Sequence, residues 1–256
     1  MRDEEYKSYG DLTSLNKSRD LFNTIGKETL ERIARSYLDL LETSSAIYEV
    51  DGSYATALFS SGYCRFLDSA SRGLCNTDDN EEAINSGKWL CHESCWTDAS
   101  KIAVQTGALY DLSPCNGGIN IYAVPIKVSG KVIGSLNCGY GSPPTDEAII
   151  DELVKKYNVN KEKLTELARQ YLVRPAYVIE AMKRHMQLAA ELIGEIYERK
   201  KLEEKILEKE EQLRTAFDFS TMGIAIISPT RGLLNANDRL CKMFGYTHCT
   251  EIKCCP

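Results

Sequence analysis

After Pro175 the chain runs to about Phe217 without another proline and with one glycine, Gly194. Proline inside a helix removes a hydrogen bond and clashes with the turn before it, so this stretch predicts one long helix. Met182, Met186, Ala189, Ile193 and Ile196 step by four and three, the a/d spacing of a coiled coil. The phase then slips, and Leu202, Ile206 and Leu213 resume it; such an offset locally over- or underwinds a coil. The mixed-charge run 198–205 between them is a solvated surface. A solvated single helix would carry the same charges. A stripe sustained over several turns instead favours a parallel homodimeric coiled coil joining two domains.

Upstream, residues 1–20 are polar and are expected to be loose. Leu30, Ile33, Ala34, Tyr37, Leu38 and Leu41 then mark one helix face at i, i+3, i+4 spacing. Residues 46–50 form a strand candidate ending in the Asp51-Gly52 turn. The segment 96–106 is expected to form a helix ending before Gly107. Two β-rich runs, 119–128 and 131–137, flank Ser129-Gly130, the signature of a hairpin. Pro125 inside the first run implies an edge strand or a bulge. Thr145 and Asn160 are candidate N-caps of two further helices. This order predicts an α+β fold, an antiparallel sheet flanked by helices. The expected boundaries are a flexible N-terminus over 1–20, a domain over 21–174, a helix or coiled coil over 175–212 and an incomplete domain over 213–256.

Six of the ten cysteines lie between Cys64 and Cys138, around Cys91-His92-Glu93-Ser94-Cys95. The start of the chain has no apolar stretch of the signal-peptide kind, and no apolar run approaches the roughly 20 residues of a membrane helix. A cytoplasmic location is therefore expected, where disulfides are rare. Four uses of the thiols stay open: packing in a core or pocket wall, metal or cluster ligation, redox sensing, and a structural disulfide. Cys64, Cys75, Cys91, Cys95 and Cys115 supply enough ligands for zinc or an iron–sulfur centre, with His92 as a nitrogen donor, although the spacing is not that of a standard knuckle. Trp96 and Tyr122 join them as candidate pocket-lining groups, and Asp78, Glu93 and Asp98 as candidate polar anchors. The net charge of -6 argues against nucleic acid as a partner. There is no Ser/His/Asp pattern, phosphate loop or acid/base pair, so no enzyme chemistry is expected. His185 lies on the long helix without a nucleotide-binding motif after it.

Two resemblances follow from motifs in order. Met222-Gly223-Ile224-Ala225-Ile226, Leu234-Asn235-Ala236-Asn237, Leu240 and Phe244-Gly245-Tyr246 resemble the opening of a PAS domain, as found in sensor histidine kinases. The likeness ends after Thr247, so a truncation or frameshift is expected and the last cysteines are expected to be without function. Residues 22–196 resemble the PocR sensory domain. The matching motifs are Tyr63-Cys64-Arg65-Phe66-Leu67, Cys75-Asn76-Thr77-Asp78, Cys91-His92-Glu93-Ser94-Cys95-Trp96, Cys115-Asn116-Gly117-Gly118, Tyr122-Ala123-Val124-Pro125 and Gly134-Ser135-Leu136-Asn137-Cys138. The family often has Cys-His-Gly-Gly where this chain has Cys115-Asn116, so an imidazole is missing there.

The resemblance implies a PAS/GAF-like fold and the binding of small hydrocarbon derivatives. The expected function is a sensory input module of a two-component system, relaying the state of a cysteine-lined ligand pocket through a coiled coil to downstream PAS and kinase modules. The alternative on the same scaffold is a redox, zinc, iron–sulfur or haem sensor. A purely structural dimerisation fragment is a third reading.

Overall fold

The computed structural model describes residues 9–41 and 43–246. The tail cysteines Cys249, Cys254 and Cys255 therefore lie outside the described residues. After a 3-10 turn at Leu12–Leu15 come α1 (Asp20–Ile25), α2 (Lys27–Leu38), β1 (Ser44–Glu49), β2 (Tyr54–Phe59), α3 (Gly62–Gly73) and α4 (Asn80–Asn85). α5 (Leu90–His92) passes into a π-helical segment, Glu93–Ser100, and then α6 (Lys101–Thr106). β3 (Tyr110–Leu112), β4 (Asn120–Val128), β5 (Lys131–Tyr140), α7 (Glu147–Tyr157), α8 (Lys161–Gln170) and α9 (Ala176–Asp218) follow. Two compact units divide after Glu198.

In the first unit the strand order is β2-β1-β5-β4-β3, with every neighbouring pair antiparallel. The β4–β5 hairpin turns at Ser129 and Gly130, both at positive φ (48° and 81°), as a tight turn matched to strand twist requires. Pro125 pairs with Ser135 of β5, and the facing strand β3 pairs only as far as Ala123. The proline thus sits where the outer side of β4 has no ladder to donate to, with a bulge one residue on at Ile126/Lys127.

One sheet face packs on α1, α2 and the first half of α9. Ile47, Val124, Ile126, Leu136 and Cys138 from the strands join Leu30, Tyr37 and Leu38 of α2. Met182, Met186, Ala189 and Ile193 of α9 are buried in the same cluster. The stripe expected to face a second chain is therefore filled from within its own domain. Periodicity shows that a face is buried, not against what, and each such Met or Ile contributes about 2 kcal/mol wherever its partner lies. Gly194 lets α9 come close: a Cβ there would stand 2.4 Å from the Lys127 carbonyl oxygen. This packing extends the first unit beyond residue 174.

The N-terminal stretch from residue 9 is packed rather than loose. Leu12 is buried with Tyr48, Tyr54 and Trp89. Asn16 Nδ2 and the backbone amides of Leu21 and Phe22 donate to the fully buried Glu49 carboxylate at 2.9, 2.9 and 3.1 Å. Three charge-assisted bonds compensate the desolvation of that carboxylate and pin the start of α1 to β1.

The second unit contains the antiparallel pair β6 (Ala225–Ser228) and β7 (Gly232–Ala236), then α10 (Asp238–Met243). Asn237 organises it. Its Oδ1 accepts from Leu240 N as the N-cap and from Ile224 N, and its Nδ2 donates to the Phe217 and Met222 carbonyls at 2.9 Å each.

Candidate functional site

The opposite face of the sheet roofs a cavity of about 60 Å³. Strand side chains alternate between faces. Ala46 and Tyr48 of β1, Ile121 of β4, and Asn137 and Gly139 of β5 line the cavity. Their neighbours Ile47, Tyr122, Leu136 and Cys138 belong to the cluster shared with α9. The sheet is a single-layer wall between cavity and helix.

The far walls are helical. α3 buries Tyr63, Cys64, Leu67, Asp68 and Ser71, an i, i+3, i+4 pattern with a carboxylate on its inner face. The helical segment beginning at Leu90 presents Cys91, His92, Ser94 and Cys95. Hydrogen bonds in a π-helix run from i to i+5, which widens the turn and suits side chains four apart to one opening. The helix thus begins before the cysteine cluster rather than after it. Cys115 completes the wall, held in a turn by Cys115 N to Ile119 O at 2.6 Å.

Burial dominates the electrostatics. It pushes the Cys64 thiol up to about 11 and those of Cys91, Cys95 and Cys115 upward as well. All four are neutral thiols at pH 7. Burial lowers the His92 imidazole to about 4, and its Nδ1 is 2.8 Å from the Tyr54 hydroxyl. Burial also raises the Asp68 carboxyl to about 6, against the opposing effect of bonds from Tyr9 Oη and from Trp89 Nε1, the latter at 2.9 Å. The Tyr48 hydroxyl is buried beside that of Tyr54.

A family model described as the sensory domain found in PocR matches residues 23–197, well over half of the chain. The chain belongs to the PocR sensory-domain family. A second model, described as a PAS domain, matches residues 211–254. No curated protein matches the chain. Among solved structures, the GAF domain/HD domain protein from Geobacter sulfurreducens is 13% identical, covering 70% of this chain and 97% of that one, with a TM-score of 0.34.

Within this PocR domain, Cys64, Cys91, His92, Cys95 and Cys115 meet at the cavity. Three other candidates stand elsewhere. Cys75 is buried with Ala83 and Trp89, and its thiol donates to the Ser71 and Ala83 carbonyls. Trp96 packs on Tyr48 and over the turn at Gly52. Tyr122 points to α9, accepting from Gln187 Nε2 at 2.9 Å beneath the Lys183 ammonium. The candidate anchors Asp78, Glu93 and Asp98 do not line the cavity, and Asp68 is its carboxylate. No group of three or more His, Cys, Asp or Glu residues is placed to hold a metal ion among the described residues. No described helix is long and apolar enough to cross a membrane. Asp68 and Tyr48 were not among the candidates. The readable signal for Asp68 was its place four residues after Cys64 on an apolar helix face.

Proposed function

We propose that this chain is the input module of a signal-transduction protein and that it binds a small molecule in the cavity behind β1, β4 and β5. The observation that carries this reading is the shared wall: the strands lining the cavity are those on which α9 rests. A molecule that binds more tightly to one arrangement of the sheet shifts the helix by that difference in affinity, and by no more. Polar contacts support the same route. Lys183 of α9 lies 2.6 Å from Asp111 of β3 and sits over the Tyr140 ring of β5, one residue beyond cavity-lining Gly139.

The relay would run through a parallel homodimer of α9 to a downstream kinase module of the histidine kinase type. Leu188, Leu192, Leu202, Ile206 and Leu213 are exposed and keep a four-three spacing, with Glu195, Arg199 and Lys209 at the intervening positions. This stripe has a different phase from the buried one, and so removes the need for a slip in a single seam. A cytoplasmic site of action is in keeping with six free thiols.

The alternative, a redox or metal-based sensor, draws on the four cavity thiols. Their burial and raised pKa values favour neutral packing groups over the thiolates that ligation and oxidation need. Anaerobically purified protein tests both readings. Native mass spectrometry is expected to find a small organic molecule bound, with no visible absorption band and no stoichiometric metal. If no molecule co-purifies and a panel of small compounds leaves the melting temperature unchanged, the ligand-binding reading fails. A coloured or metal-loaded protein would favour the alternative.

A further inference from the structure

The charge inside the cavity is unbalanced. Among the described residues no Lys or Arg lines it, its thiols and imidazole are neutral, and Asp68 is its one carboxylate. Among the described residues Asp68 is bonded by two neutral donors, Tyr9 and Trp89. Arg72, one helical turn on, is committed elsewhere: its guanidinium donates to Asn80 Oδ1 at 3.0 Å and Thr77 O at 2.7 Å and lies over the Trp89 ring. A buried carboxylate without a cation is costly unless something pairs with it. A carboxylate offers about four lone-pair sites, so two protein donors leave room for more. The Tyr48 hydroxyl, in the same wall beside that of Tyr54, is a further acceptor. The rings of Tyr48, Tyr54, Phe59 and Tyr63 border the same space, and aromatic faces attract cations, more strongly where water is excluded.

We propose that the cavity takes a small alkylammonium ion, with Asp68 as its counter-ion and the tyrosine rings as its cage. The volume of about 60 Å³ favours a small occupant such as a short-chain ion. This rests on the reading of the cavity as a sensory pocket and adds the charge class of what enters it.

Calorimetric titration of the full chain with n-propylammonium, 1-propanol and propanoate tests it, because the three differ little in shape and fully in charge. Propylammonium is expected to bind at least tenfold more tightly than 1-propanol, and propanoate to give no heat. Asp68→Asn is expected to reduce propylammonium affinity to the 1-propanol level. Tyr48→Phe, which keeps the ring, is expected to weaken propylammonium severalfold. Should Asp68→Asn fail to fold, the wild-type series and Tyr48→Phe decide. Equal or tighter binding of 1-propanol overturns the cation and leaves a pocket for neutral ligands. Unchanged propylammonium affinity in folded Asp68→Asn overturns it also. Silence with all three compounds overturns the ammonium class, whereas the pocket itself stands or falls on the co-purification experiment.

Discussion

Replacing Gly194 by alanine sets two effects of opposite sign against each other. In a helix interior, alanine is favoured over glycine by about 1 kcal/mol. Against that, the new Cβ would lie 2.4 Å from the Lys127 carbonyl oxygen, about 1 Å inside the 3.4 Å at which ordinary contact begins. Both atoms belong to backbone, so no rotamer change relieves the overlap. The carbonyl lies beside the bulge at the end of the β4–β5 hairpin. Overpacking costs about 1–3 kcal/mol, and a backbone clash belongs at the upper end. The net expectation is a loss of about 2 kcal/mol, roughly a thirtyfold fall in the folding equilibrium constant. Urea unfolding followed by circular dichroism measures it, with exposed Glu195→Ala as a control expected to move stability by less than about 0.5 kcal/mol. A Gly194→Ala protein as stable as the parent, or more stable, would refute the close approach of α9 to the sheet.

Three further expectations concern the cavity and the helix. Asp68 and His92 oppose each other in pH dependence. Asp68 has a raised folded pKa of about 6, so it adds stability as pH falls from 6 toward the unfolded value near 4. His92 has a lowered folded pKa of about 4, so it removes stability as pH falls from about 6.5 to 4. Each is worth about 3 kcal/mol at 1.36 kcal/mol per pKa unit. His92→Gln should thus become relatively more stable on mild acidification and Asp68→Asn less stable, and parallel pH profiles for the two would contradict the assignment. The four cavity thiols should react slowly with a thiol reagent at pH 7 in native protein and at once in urea; rapid native labelling of Cys91 or Cys95 would revive a redox role. Leu202→Asp combined with Ile206→Asp should shift sedimentation toward the monomer with little loss of domain stability, since both side chains are exposed. An unchanged oligomeric state would remove the α9 seam.

The elements legible in sequence were those with one wet face. The α2 stripe, the β4–β5 hairpin and the span of α9 all show a period because polar residues mark the other side. β2 did not stand out: Tyr54–Phe59 is nearly all buried, so its run lacks the polar alternation that announces a strand. The cap expected at Thr145 is Asp146, whose carboxylate accepts from Ala148 N and Ile149 N. Cys64, Cys91, Cys95 and Cys115 line one cavity, but spacing alone does not separate Cys75 from Cys64. That separation depends on Cys75 lying beyond the C-terminal end of α3, where it packs against Ala83 instead. Asp68 was hidden because an acidic residue on a helix is ordinarily read as solvent-facing, and only its neighbours at 63, 64, 67 and 71 show otherwise.

The wall formed by β5 has a consequence for how such a module tolerates change. From Leu136 to Tyr140, alternate positions face different sides of the sheet, one the cavity and the other α9. The cavity side of β5 is itself constrained: Asn137 donates to Cys95 O and Ser100 Oγ, and a Cβ at Gly139 would meet Thr43 Oγ1 at 2.6 Å. A single-residue insertion or deletion in that strand would exchange the two sets at once, turning Leu136 and Cys138 into the cavity and Asn137 onto the helix. The length of β5 is thus fixed by the need to keep the cavity side and the α9 side of the strand apart.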